Sequence, residues 1–230
     1  MNQSNTTSYR LCLLVCVLLL GTMSITADAA EQPGFLRDFL KDRVESASFD
    51  VSLYVYKPQL EQFTTLLSGF GVPGIDATLT PFVSVTLKHT PELSSRLEIG
   101  YGSISTELPP PNSADLWATF IPVAWHLLYR PVLLHDFIPI YVGGGVGYSH
   151  LSTGGSALTL LEAQGITVDG KNSGLTGYLL IGYEHRLYED RLSLNFEAKH
   201  ILKTFVVSET PPLELDFDGT ALGISVGLKF

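Results

Sequence analysis

Along most of this chain, hydrophobic residues occupy every second position. The last segment is the plainest case: Leu222, Ile224, Val226, Leu228 and Phe230 alternate with Ala221, Gly223, Ser225, Gly227 and Lys229. A period of two is that of a β-strand, whose successive side chains point to opposite faces. The same alternation sets Leu192, Leu194, Phe196 and Ala198 against Ser193, Asn195, Glu197 and Lys199. Upstream, Leu175, Leu179, Ile181, Tyr183 and Leu187 oppose Thr176, Tyr178, Gly182, Glu184 and Arg186, and Ile140, Val142, Val146 and Tyr148 oppose Tyr141, Gly143, Gly145 and Gly147. Shorter runs centre on Phe49, Val51, Leu53 and Val55, on Val83, Val85 and Leu87, and on Leu97, Ile99 and Tyr101. Residues 116–130 also suit a strand, but both of their phases carry large apolar groups and neither face can be assigned.

These segments predict eight strands. Their connections alternate between short (90–94, 131–137, 189–191) and mostly longer stretches rich in Pro, Gly, Ser or Asp (58–77, 108–114, 151–171, 209–215). An even number of strands with short turns at one end and long loops at the other describes an antiparallel up-and-down meander. Two stretches follow a helical period instead. Residues 34–45 gather Phe35, Leu36, Phe39, Leu40 and Val44 near one side, which predicts a short N-terminal amphipathic helix. Residues 59–70 do the same with Leu60, Phe63, Leu66, Leu67 and Phe70, a set oddly apolar for a loop in water and a candidate site for a small apolar molecule. Either stretch suits a membrane surface, a barrel rim or an ordinary capping helix.

Alternation alone does not say which phase faces inward. A soluble lipocalin-like barrel buries the apolar phase, and a transmembrane barrel turns it outward. The polar phase carries Gly100, Gly102, Gly143, Gly145, Gly147, Gly182, Gly223 and Gly227, small residues that a narrow eight-stranded lumen needs opposite Tyr54, Tyr56, Tyr141 and Tyr178. It also carries both signs of charge, with Arg96 and Glu98 on one strand and Glu184, Arg186, Glu197 and Lys199 on two strands joined by a tight turn at Asp190. Cross-strand ion pairs among these are geometrically reasonable and would plug the lumen. The apolar phase runs for about 9 to 11 residues, the length a tilted strand needs to cross a bilayer. The prediction is therefore an all-β, eight-stranded antiparallel up-and-down transmembrane β-barrel over residues 47–230.

Charge and composition narrow the role. Only 16% of the residues are charged, and 23 acidic against 14 basic residues leave a formal net charge of −9. That sign disfavours nucleic acid as a partner. Residues 1–29 resemble a cleaved secretory signal peptide, with Arg10 before the apolar run 11–20 and an Ala27-Asp28-Ala29 cleavage site, and 30–46 form an N-terminal periplasmic segment. Both cysteines, Cys12 and Cys16, lie in the signal, so a mature chain lacks thiols, disulfides and zinc-cysteine sites. No nucleotide-binding loop, H-E-x-x-H helix or EF-hand loop occurs, so no cofactor, no metal site and no catalytic residue is expected.

The terminal segment, with Ile224, Val226 and Leu228 alternating back from Phe230, resembles the assembly signal of bacterial outer-membrane barrels. The 143–148 and 182–187 segments resemble central strands of the small porin-like OmpA/OmpW type. The resemblance implies a cell outer-membrane location and insertion by the barrel assembly machinery. It also implies contact with outer-membrane lipids and an extracellular partner reached through the long loops. A non-enzymatic role follows, as a structural or interaction barrel or as a passage for small apolar molecules. The lipid A deacylases resemble the chain in size but use a His-x-Ser arrangement. Here the equivalent strand gives Lys199-His200-Ile201-Leu202, without the serine. A lipid hydrolase would have to assemble its pair across strands, for instance His150 with Ser149 or Ser152, and His89, His126, His185 and His200 are expected near the membrane interfaces.

Overall fold

The computed structural model describes residues 44–58, 77–107, 114–131, 139–163, 165, 170–188, 191–209 and 212–230. The signal segment, the helix expected over most of 34–45, and Leu60, Phe63, Leu66, Leu67 and Phe70 lie outside the described residues. The described elements are β1 (Ser46–Pro58), β2 (Thr78–Lys88), β3 (Leu93–Gly100), β4 (Gly102–Glu107), β5 (Asp115–Tyr129), β6 (Ile140–Gly154), a helix α1 (Ala157–Ala163), β7 (Lys171–Leu187), β8 (Leu192–Leu202), β9 (Thr204–Glu209), β10 (Pro212–Asp216) and β11 (Gly219–Lys229).

One sheet runs β3-β2-β1-β11-β8-β7-β6-β5-β4, and β3 also pairs with β5, so the sheet closes on itself. β3 and β4 meet β5 in a single continuous register, from Leu93↔Tyr129 through Ile99↔Val123 to Gly102↔Phe120 and Glu107↔Asp115. They are one stave interrupted at Tyr101, and the ring is an eight-stranded antiparallel barrel. The first and last staves join from Ser48↔Lys229 to Pro58↔Gly219. That ladder ends in a pair of bonds between Ala47 and Phe230, of 3.2 and 2.9 Å. Closure satisfies the backbone donors and acceptors that hydrocarbon could not. Both described chain ends and the strand ends at Lys88, Leu93, Tyr129, Ile140, Leu187 and Leu192 lie at one rim, here the turn end; the strand ends at Pro58, Thr78, Glu107, Asp115, Gly154, Lys171, Leu202 and Gly219 lie at the other, the loop end.

Every stave obeys the alternation. Val51, Leu53, Val55, Leu97, Ile99, Ile181, Phe196, Ile224, Val226 and Leu228 face outward and exposed, while Asp50, Ser52, Ser84, Arg96, Glu98, Thr176, Asn195, Glu197 and Lys199 face inward and are buried. A sheet with its apolar side out and its charges in is built for a lipid surround. The stave left unassigned by the sequence, β5, turns Trp117, Ile121, Val123, Trp125, Leu127 and Tyr129 outward and Leu116, Phe120, Ala124, His126 and Leu128 inward. The expected polar lumen is therefore apolar over part of its length.

Glycines set the lumen's packing. Tyr54 lies over its register partner Gly223, Tyr141 over Gly182, Phe82 over Gly100 and Phe120 over Gly102, and a Cβ on any of these glycines would fall within 2.0 to 2.4 Å of the ring. The run 143–147, which superficially resembles a phosphate-binding loop, is strand. Its inward members Gly143, Gly145 and Gly147 are pressed against the β5 backbone. The structure adds the helix α1 within the long connection 151–171 and the β9–β10 hairpin between β8 and β11.

Candidate functional site

The barrel interior has three tiers. Near the turn end is a polar recess of about 70 Å³, lined by Asp50, Thr86, Ser94, Arg96, Arg130 and Glu184 among others. Arg130 donates to Ser94 Oγ and to Glu184 Oε2, each at 2.7 Å, and Arg186 Nε donates to Glu184 Oε1 at 3.0 Å.

Above it lies an ion-pair belt. Arg96 Nη1 donates to Glu197 Oε2 at 2.7 Å, and that carboxylate also accepts from Tyr54 OH at 2.5 Å and Tyr141 OH at 2.8 Å. Lys199 Nζ donates to Glu98 Oε1 at 2.6 Å and stands 3.6 Å from Glu197 Oε1. Its ammonium lies 4.4 Å from the centroid of Tyr54 and 4.7 Å from that of Phe82. His126 Nε2 sits 3.6 Å from Glu98, and the imidazole, with no solvent exposure, packs edge-on against Tyr178. All six charged residues singled out in the sequence thus contribute to lumen networks, but not as hairpin neighbours. Register places Glu184 opposite Asn195 and Glu197 opposite Gly182. Arg96 and Glu98 of β3 meet Glu197 and Lys199 of β8 across the lumen, whereas Glu184 takes Arg130, just past the end of β5, and Arg186 from its own strand. His126 is a lumen residue, not an interfacial one.

Towards the loop end the interior is apolar. Tyr56, Phe82, Ile104, Phe120, Leu151, Ile201, Phe205 and Phe217 form one buried cluster, with Phe120 edge-on to Tyr56 and Phe217 at 5.6 and 5.5 Å. Phe205 and Phe217 flank the base of the β9–β10 hairpin and cover the cluster from above. They are held there by a bond from Tyr56 OH to the Phe217 carbonyl and by Lys203, whose ammonium lies 4.4 Å over the Phe205 ring. Desolvation there lowers the Lys203 pKa from its ordinary value.

The wall beside this cluster has a seam. β2 pairs with β1 along its whole length, but its ladder with β3 stops at Phe82↔Gly100. The next pair in that register is Pro81 opposite Tyr101. Tyr101 N–H donates to the Pro81 carbonyl at 3.0 Å, and the reciprocal bond is impossible because proline has no N–H. Beyond it β2 and β4 share no ladder among the described residues. The Thr78 hydroxyl bonds the Ser103 carbonyl at 2.7 Å instead. Phe82 and Ile104 lie buried behind this gap.

On the outer face, His150 does not meet Ser149 or Ser152 as the hydrolase reading required. Ser149 points inward to Thr176 at 2.7 Å, and His150 Nδ1 contacts Ser173 Oγ at 2.7 Å. The register neighbours Ile121, Thr119, Ser152 and Lys171 supply no carboxylate to orient the ring. Ile224, Val226, Leu228 and Phe230 all stand on the outer face, with Phe230 at the turn-end rim.

The closed barrel, its outward apolar band and its charged interior define a transmembrane β-barrel of the outer-membrane type. No family model and no curated protein matches the chain. Among solved structures, the outer-membrane protein OprG of Pseudomonas aeruginosa aligns over 82% of this chain and 97% of its own, at 14% identity and a TM-score of 0.52. The Neisserial surface protein NspA aligns over 80% and 96% at 12% identity (TM-score 0.48), and the outer-membrane protein AlkL over 87% and 94% at 12% identity (TM-score 0.48). The likeness to OprG is one of fold: an eight-stranded outer-membrane barrel, with short turns at the periplasmic end.

Proposed function

We propose that this outer-membrane barrel is non-enzymatic and passes small apolar molecules sideways, from the loop-end half of its lumen into the bilayer. The observation that carries this reading is the seam between β2 and β4, a stretch of wall without a described ladder that has the buried Phe82 and Ile104 of the apolar cluster directly behind it. The ion-pair belt beneath blocks a straight path for ions and leaves the side as the exit. Displacement of Phe82 and Ile104, with parting of the Thr78–Ser103 contact, opens the wall without breaking a ladder. Leu60, Phe63, Leu66, Leu67 and Phe70 precede β2 and would collect the solute.

Restoring the missing donor tests this. Pro81→Ala supplies an N–H to the Tyr101 carbonyl and extends the ladder. Uptake of a hydrophobic fluorophore into proteoliposomes is expected to fall about fivefold, the population change produced by one hydrogen bond of about 1 kcal/mol. Uptake equal to that of the parent protein would remove the seam from the pathway.

A further inference from the structure

Register places five polar side chains together on the outward face of β5, β6 and β7. Thr119, Ser152 and Lys171 form one row across the three staves, and Ile121, His150 and Ser173 form the row below. The next row towards the turn end, Val123, Tyr148 and Leu175, is exposed and apolar, with Leu175 80% exposed. Above the polar rows comes Trp117, whose indole lies across its register partner Gly154, where a Cβ would be 2.3 Å from the ring. Successive rows are about 6 to 7 Å apart along a strand.

A hydrocarbon-facing row below and an outward tryptophan above bracket the patch at the depth of lipid headgroups, where indoles concentrate. Its chemistry is that of anion capture: a lysine, three hydroxyls and an imidazole fixed by its 2.7 Å contact with Ser173. The nearest carboxylate along β5, Asp115, is engaged by the Ser156 backbone N–H at 3.0 Å and by the Ser156 hydroxyl.

We infer that Lys171, His150, Ser173, Ser152 and Thr119 form a binding site for the phosphate-bearing headgroup of a lipid in the outward-facing leaflet. The site rests on the reading that the outer face lies in lipid, and it requires no passage activity. Lys171 supplies the charge, the hydroxyls donate to phosphate oxygens, and the lipid's chains lie along Tyr148 and Leu175.

The chain's two tryptophans separate the two readings. Trp125→Phe leaves Trp117 beside the patch, and Trp117→Phe leaves Trp125 within the apolar band. Each variant is placed in phosphatidylcholine vesicles containing, at equal fraction, either phosphatidic acid or phosphatidylcholine brominated in its acyl chains. Trp125 is expected to be quenched equally by both. Trp117 is expected to select the brominated phosphatidic acid about fivefold, the preference that one lysine near a membrane surface confers. Lys171→Gln with His150→Gln, in the Trp117 variant, should return that ratio to one, and excess inorganic phosphate should leave it unchanged. A ratio of one for Trp117, a ratio unaffected by the double substitution, or its abolition by inorganic phosphate would overturn the site. Failure of either lipid to quench Trp125 would overturn the lipid-facing band itself.

Discussion

Lys199→Met is expected to lower the barrel's unfolding free energy by about 3 to 5 kcal/mol, the cost of stripping one partner from a buried ion pair. Lys199 is 1% exposed and bonds Glu98 at 2.6 Å, so its loss leaves the buried Glu98 carboxylate without its ion-pair partner, and His126 stands 3.6 Å away. Glu197 keeps Arg96 and two tyrosine hydroxyls, which confines the damage to Glu98. Adding Glu98→Gln should therefore recover most of the loss, because buried pairs replaced on both sides cost little. Denaturant titration in detergent, followed by tryptophan emission and by the mobility difference between heated and unheated samples, measures both. Equal stability of Lys199→Met and the parent would mean that the belt is hydrated rather than packed.

Gly147→Ala is expected to destabilise by about 1 to 3 kcal/mol, as overpacking of a filled interior does. The added Cβ would lie 2.5 Å from the Val123 carbonyl oxygen and 2.9 Å from Ala124 Cα and Cβ, none of which can swing aside. Gly144, on the outer face of the same strand, is the control. A Cβ there meets nothing closer than the Tyr178 carbonyl at 3.5 Å, so Gly144→Ala should be nearly neutral in the same denaturant titration. Equal effects at the two positions would contradict the assigned phase of β6.

The staves β1, β8 and β11 were legible in the sequence because small or charged residues alternate with aliphatic ones and each phase has one environment. β5 was not, since Phe120 and Leu128 point into the lumen and are as large and apolar as Ile121 and Leu127, which point out. Hydrophobicity carries no phase information where both environments are apolar. The charged lumen residues were identifiable from their phase, but their partners were not. Arg96 and Glu197 belong to β3 and β8, which share no ladder, and only the curvature of the closed ring brings them within 2.7 Å. The seam did leave a trace. A proline at the start of a strand, with Gly100-Tyr101-Gly102 opposite it, marks a wall that cannot complete its ladder.

Collision of spin labels with dissolved oxygen and with a water-soluble nickel chelate, at positions 224, 225 and 226 in lipid vesicles, asks which way the sheet faces. Labels replacing Ile224 and Val226, half exposed on the outer wall, should collide freely with oxygen and rarely with nickel; one replacing Ser225, 8% exposed in the lumen, should collide little with either. Oxygen access at 225 with shielding at 224 and 226 would mean that the charges, not the aliphatic side chains, meet the membrane.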